Sequence, residues 1–472
     1  MGTVGELKKV VSLVDRTAFD QYVYPSDSNH TYFQPEKKTY YNFTQEIINF
    51  ALAGNPQWGQ RLTFTVPWPW KADFLNWVAL RLKPLSWLPL DAAEHMGPNR
   101  NDWIPTDPAN MWVWANSLGS AAIESAEMEV DGVIIESFTG DWSSVWNRIN
   151  NTGSDELFSS MGEKPTSPTH LISEDGYLYC YLPFWFSKYK NTAFPLCSCG
   201  RPEMVRFHIK LRPFTEVVRR FSSALNCGES PLGDTMVIRD YTFPFKMLRT
   251  VENSRTIPGF EVADIVCGLS NIDIELREQY INTPHEILMS PVMEMDFWEP
   301  LKYTVGVPSA DKINIQLPLT DANGPIKQLI FFIRRKAAID LYRDYNNYSS
   351  TIDEIDPVWN PVKPILERGK LMVGSAVWID EGELWWRSEF GINLPGGIRS
   401  SGNYIYGYNF AENPVEFSPS GSVNASRVDM RLDLTIKQPS DTFNKEWTVH
   451  VFMIGTNWIR FQNGIANLVF MD

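Results

Sequence analysis

Between Met204 and Arg212 the chain splits into two parities without a break. Met204, Arg206, His208, Lys210 and Arg212 fall on one, and Val205, Phe207, Ile209 and Leu211 on the other. Period two is the mark of a strand with one buried and one wet face. The stretch before it has another texture. Residues 178–186, LYCYLPFWF, are almost wholly apolar and aromatic, whereas residues 187–203 are polar and broken by Pro195, Gly200 and Pro202. Together they predict a buried strand, a broad irregular connection and a half-buried strand. Most of the chain repeats this grammar.

Near the start, Leu7, Val10, Val11, Val14 and Ala18 have helical spacing, which predicts a short amphipathic helix or arm over residues 6–18. It is too short to be stable alone and must dock on something. Strands are predicted at Arg61–Val66 and Phe74–Leu82, with Pro67–Trp70 at a strand end, because proline removes a ladder hydrogen bond. Residues 84–115 read as a long loop. Asp131-Gly132, between two apolar-rich runs in Ile123–Glu136, predicts a hairpin, and residues 140–148 a helical turn. Further strands are expected at Met236–Met247 and Glu261–Arg277. Residues 278–292 then form a candidate boundary with a short helix.

A second series follows: Lys312–Leu317, Ile326–Arg334, a tyrosine-rich acidic excursion at 335–368, Leu371–Ile379, Glu383–Arg387, a turn at Leu394–Gly397, Tyr404–Phe410, Arg427–Ile436, Trp447–Ile454 and Trp458–Phe461. Helical periodicity is nearly absent. Many short strands with Gly/Pro turns predict an all-β protein, two tandem eight-stranded jelly-roll β-sandwiches with long loops and a few short helices. The expected division is an N-terminal arm at 1–27, a first jelly roll at 28–284 and a second at 285–472.

Composition excludes several functions. With 472 residues, 43% hydrophobic and 21% charged, the chain is globular and long enough for two domains. Its 18 Trp suit thick sandwich cores and large apolar interfaces. A net charge of −14 argues against direct binding of nucleic acid, whose phosphates want Lys or Arg. The densest basic clusters, Lys8-Lys9, Arg219-Arg220 and Arg334-Arg335-Lys336, read as solvated strand ends or helix faces. The opening residues lack a signal-peptide apolar core, and no run approaches a membrane span. The expectation is a reducing compartment with five free cysteines and five chance Asn-x-Ser/Thr sequons (Asn29, Asn42, Asn150, Asn347, Asn424).

Candidate chemistry is sparse. No two of the six histidines lie within ten residues of each other, so no His-x-His metal pair exists. Cys197-Ser-Cys199 is the one close thiol pair and lacks a second pair at zinc spacing. Gly228 to Gly233 has the spacing of a phosphate loop, but Asp234 stands where lysine is required. Carboxylates such as Glu127/Glu129 and Glu381/Glu383, with abundant tryptophan, leave one alternative, a β-sandwich glycosidase or carbohydrate-binding protein. On alternating strands such pairs read as a solvated face. No catalytic, cofactor-binding or metal-binding residue is assigned.

Six ordered stretches between residues 127 and 470 carry a resemblance. They are Glu127–Trp142, then Leu182–Phe186 with Ala193–Leu196 and Val205–Leu211, then Ile274–Glu286, Gly324–Ile333, Tyr404–Phe410 with Asn413-Pro414 and Ser418–Asp429, and the closing WIRFQNGIANLVF. In this order they resemble the major capsid proteins of the nucleocytoplasmic large DNA viruses. PLCSCG at 195–200 departs from the family's apolar continuation, and residues 84–115 and 335–368 have no counterpart. The resemblance implies a non-enzymatic double jelly roll. It implies homotrimers of pseudo-hexagonal outline that pack with neighbouring capsomers into an icosahedral shell over an internal membrane. It also implies synthesis in a viral factory in the host cytoplasm. The N-terminal arm would then meet minor capsid proteins or inner-membrane proteins, and the long loops would face outward.

Overall fold

The computed structural model describes residues 42–52, 54–68, 71–85, 87–89, 111–115, 117–150, 177–188, 192–202, 204–221, 248–250, 259–300, 312–340, 345–349, 364–392, 404–414, 420–437 and 446–470. The expected arm, the strand at 236–247 and the turn at 394–397 lie outside the described residues.

The first half of the chain supplies eight long strands. They are β1 (Phe43–Ala51), β2 (Arg61–Thr65), β3 (Phe74–Pro84), β4 (Ile123–Val130), β5 (Val133–Phe138), β6 (Leu178–Leu182), β7 (Val205–Leu211) and β8 (Phe260–Ile272), with helix α1 (Gly140–Asn150) after β5. They form two sheets, ordered β1-β8-β3-β6 and β2-β7-β4-β5. Helix α2 (Ile274–Asn282) follows, then β9 (His285–Met289). The second half repeats the pattern with β10 (Val292–Pro300), β11 (Lys312–Pro318), β12 (Pro325–Arg335), β13 (Leu366–Val373), β14 (Ala376–Gly382), helix α3 (Glu383–Ile392), β15 (Ile405–Asn409), β16 (Met430–Lys437) and β17 (Glu446–Gly455). Its sheets are β10-β17-β12-β15 and β11-β16-β13-β14. The fold is a double jelly roll, and all the strand pairs named are antiparallel. A closing hairpin, β18 (Asn457–Gln462) and β19 (Ile465–Leu468), pairs with β9.

The duplication extends to irregularities. Each half breaks register between the strand before the helix and its hairpin partner, at Met128/Glu129 and at Leu371/Met372. Each also breaks register beside its central strand, at Gly268/Leu269 and at Ile326/Gln328. A bulge displaces one residue and increases local twist, so matched bulges give the two sandwiches matched curvature.

Burial explains the two textures of the sequence. β16 alternates buried and half-buried residues, because one of its faces is wet. β12 is buried at every position after Pro325. It is central in its sheet and covered on both sides, so its sequence runs apolar without alternation. Asp131 (φ 53°) and Gly132 (φ 85°) make the predicted hairpin turn, since a type I′ turn needs positive φ at both central residues.

Several sequence expectations are corrected. The buried run at 178–186 is a strand only to Leu182, after which Trp185–Lys188 turns as a helix. The strand expected through Arg277 ends at Ile272, and α2 takes over after Asp273. Leu371–Ile379 is a hairpin bent at Gly374 rather than one strand, and Glu383–Arg387 is helical. In these places period two over a few residues does not separate a strand from a hairpin or a helical turn, because what covers those residues decides. The ends of the 84–115 loop are short strands, Trp87–Pro89 and Met111–Trp114.

In the second half the Trp386 indole, fully buried, lies on the Gly369 backbone and donates its Nε1–H to the Gly369 carbonyl at 3.1 Å. A Cβ at Gly369 would meet that nitrogen at 2.6 Å. Gly369→Val is expected to lower stability by about 1–3 kcal/mol, the usual cost of overpacking. A fall in the thermal midpoint checks it.

Candidate functional site: the seam between the two sandwiches

The residues that sequence reading singled out for chemistry do not converge. Glu127 pairs with Arg61 at 2.5 Å on the exposed side of β4, and Glu129 with His208 at 2.8 Å. Glu381 and Glu383 straddle the junction of β14 and α3, where Glu383 accepts from Arg387. His208 lies on the parity expected to be wet, yet it is buried, between the Thr63 hydroxyl at 2.9 Å and Glu129. Cys180, Cys197, Cys199 and Cys267 are free thiols, and Cys227 lies outside the described residues. Burial pushes the Cys197 thiol up to about 11, so little reactive thiolate forms near neutral pH. Among the described residues, no group of three His, Cys, Asp or Glu could hold a metal.

Instead, the concentration of buried charge lies where the sandwiches meet. It is built from the end of β5 and the start of α1 on one side, and from β10, β12 and β17 on the other. Glu136 is the first anchor. One carboxylate oxygen accepts from Lys188 Nζ at 3.0 Å and from the Val292 backbone N–H at 3.2 Å, and the other from the Trp185 N–H at 2.6 Å. Lys188 also donates to the Ser290 carbonyl at 2.9 Å and lies over the Trp142 ring at 5.4 Å. Neither the Glu136 nor the Lys188 side chain is exposed at all. Burial lowers the Lys188 ammonium, and Glu136 opposes that only in part.

Asp141, in the first turn of α1, is the second anchor. Its two oxygens accept a bidentate fork from Arg334 at 2.8 and 2.9 Å. Arg334 also donates to the Tyr345 carbonyl at 2.8 Å and contacts His450 Nε2 at 3.1 Å. His450 meets Asp296 on its other nitrogen. Burial alone would raise the Asp141 carboxyl, but the Arg334 charge overrides it and holds the group well below the ordinary carboxylate range. Asp141 at a helix N-terminus also faces the positive end of the α1 dipole. Glu294 on β10 turns its carboxylate to the Thr139 backbone N–H at 3.0 and 3.1 Å. Burial pushes Glu294 up to about 8 against those bonds.

Apolar contacts complete the seam. Trp142 is fully buried with its ring 5.2 Å from Phe452. Phe194 meets Phe461 at 5.6 Å, and Phe461 stacks on His285 at 5.2 Å. Nearby, Gly200 N–H donates to the Gly464 carbonyl at 3.0 Å, and a Cβ on Gly464 would meet Gly200 Cα at 2.9 Å. Only glycine allows that approach.

The basic cluster at 334–336, expected on a solvated surface, is thereby corrected: Arg334 and Arg335 are 2% and 1% exposed. A pair of charges ending the apolar run LIFFI was the available signal, as was Glu136 inside VIIESF.

This geometry can hold two sandwiches in one fixed relation. A family model described as the major capsid protein N-terminus matches residues 31–230. The major capsid protein of Pyramimonas orientalis virus is 21% identical over 466 residues, covering 94% of each chain. That of Spodoptera frugiperda ascovirus 1a is 21% identical over 455 residues, covering 92% of this chain and 87% of the other. The chain is similar to the major capsid proteins of the nucleocytoplasmic large DNA viruses. Solved structures agree on the fold. PBCV-1 VP54 matches with a TM-score of 0.67 at 15% identity, over 94% of this chain and 100% of that one. The Faustovirus major capsid protein matches with 0.62 at 11% identity, over 97% and 96%. The seam, then, unites the two jelly rolls that the fold comprises.

Breaking the Asp141–Arg334 pair from one side leaves a buried charge uncompensated. Asp141→Asn is expected to cost about 3–5 kcal/mol, read as a large drop in thermal midpoint at neutral pH. Glu294 has the opposite sign. An unfolded glutamate titrates near about 4.3, below its folded value of about 8. Across that window the native chain keeps a proton that the unfolded chain has released, so stability falls as pH rises. Glu294→Gln is expected to flatten the decline between about pH 5 and 8, measured by thermal scans at fixed ionic strength.

Proposed function

We propose that this chain is the main structural protein of an icosahedral large DNA virus shell, acting without catalysis. It assembles as a homotrimer of pseudo-hexagonal outline. The internal duplication carries the reading. Two sandwiches share strand order, a helix after the fifth strand and the positions of two bulges. Three such chains present six similar sandwiches, and a ring closes when one repeated rotation returns to its start. The charged seam supports it, because a hexagonal unit needs its two sandwiches held in one geometry.

On this reading, residues 1–27 form an arm, residues 28–284 the first jelly roll and residues 285–472 the second. The arm meets minor capsid proteins or inner-membrane proteins, and neighbouring capsomers meet one another. Synthesis takes place in a viral factory in the host cytoplasm. Net negative charge fits a shell that does not touch the genome.

Light scattering on the purified full chain is expected to give about 162 kDa, three times 54.1 kDa, with hexagonal particles in negative stain. A stable 54.1 kDa monomer at micromolar concentration overturns the proposal.

A further inference from the structure

The last strand of a sheet leaves one row of backbone N–H and C=O groups without a partner strand, and proteins blunt such edges with charge, proline or a cover. The first sandwich does so at β2, one end of its β2-β7-β4-β5 sheet, which begins on Arg61 and alternates through Thr63. The second does so at β11, which carries Lys312, Asn314 and Gln316. The edge at β5 is different. Its later half is covered, since the Glu136 carboxylate accepts from the Val292 N–H of β10 at 3.2 Å. Its first half, Val133–Ile135, is wholly β-branched and uncharged, with Val133 45% and Ile134 48% exposed. Val133 pairs with Val130 across the two-residue turn, so Ile134, one step on, turns its N–H and C=O away from β4. Among the described residues no other strand pairs with β5.

This open edge borders a groove of about 660 Å³, a size suited to a bound ligand. Val133 and Ile135 line it from β5, Met293 from β10, and Trp458, Leu468 and Phe470 from the closing hairpin and the residues after it. That last part is held in place, because Asn457 Nδ2 donates to the Phe470 carbonyl at 3.0 Å and the Val469 N–H to the Trp458 carbonyl at 2.9 Å. Trp458 is nevertheless 37% exposed and Phe470 60%. Of the described lining residues only Glu136 can ionise, and Lys188 pairs with it at 3.0 Å. A charged side chain entering here would leave water without gaining a counter-ion, so the groove is complementary to an uncharged occupant.

We propose that this groove takes one extended segment of a partner polypeptide, uncharged and apolar at alternate residues, which adds a strand to the open edge of β5 at Val133–Ile135. Main-chain bonds to Ile134 supply affinity, and every second side chain enters the groove against Met293, Trp458 and Phe470. A polypeptide fits better than a small apolar ligand, because a backbone offers both the acceptor and the donor that the Ile134 N–H and C=O call for. The site stands whether the chain is a trimer or a monomer.

A capped, fluorescein-labelled peptide of alternating valine and threonine, titrated against the full chain and followed by fluorescence anisotropy, is expected to bind saturably. Ile134→Pro removes the outward N–H without breaking a bond to β4, and is expected to weaken binding about tenfold with an unchanged circular dichroism spectrum. Phe470→Glu puts a charge on the rim near the end of the chain and is expected to weaken binding by about the same factor. N-methylation of the peptide at the residues whose N–H faces β5 is expected to abolish binding to the unaltered chain. The proposal is overturned by an absence of saturable binding, by unchanged binding to either folded variant, or by binding that survives N-methylation. It is overturned also if the peptide splits assemblies of the chain, since a second copy then fills the groove. Should Ile134→Pro fail to fold, Phe470→Glu and the N-methylated peptide decide.

Discussion

Two carboxylates of the first sandwich, Glu136 and Asp141, reach into the seam, Glu136 bonding the Val292 N–H and Asp141 the Arg334 fork of the second, and the relation of the two halves depends on them. Neither is a cheap interaction. Each removes charge from water, and the penalty is offset only where geometry is good and every lone pair is used. Both sites have short, well-directed donors. Glu136 accepts three donors, two of them backbone N–H groups, one on the Trp185 helical turn and one on strand β10, that cannot shift without moving those elements. Asp141 receives the planar fork of Arg334, a bidentate match of fixed direction. Apolar packing such as Trp142 on Phe452 contributes area, but it would tolerate sliding. The directional bonds fix the register.

This changes the meaning of the aromatic stretch at 178–188. Phe184, Trp185 and Phe186 are fully buried core, as apolar composition implies. Its continuation matters as much. The helical turn at Trp185–Lys188 offers Glu136 a backbone N–H and carries Lys188 into the seam. The Cys197-Ser-Cys199 step beyond it leads to Gly200, where the first half touches the closing hairpin through the Gly464 backbone.

The fold was legible because strand burial leaves two different traces. β7 and β16, with one wet face, alternate, while β12, covered on both, does not. What failed is equally physical. Ile274 and Leu276 lie at strand spacing but begin α2, because local spacing over three residues does not separate period two from a helical turn. Glu383–Arg387 failed likewise, as α3 covers its own sandwich through Trp386. The seam was not legible, since it joins residues such as Asp141 and Arg334 that are distant in sequence. A buried arginine at a strand end looks like a solvated one until the second sandwich is in place.

The order of synthesis gives the charged seam another consequence. The strands of the first sandwich are complete at Ile272, while Arg334 and His450 lie far downstream. Domains fold largely as units while the chain emerges, so the first sandwich stands alone for that interval with its seam surface wet. Asp141, whose partner Arg334 is not yet made, keeps its hydration during that wait. An equally large apolar face would expose a sticky patch at its most vulnerable moment. Charge at Asp141 thus keeps part of the first sandwich's seam surface hydrated until the second sandwich covers it.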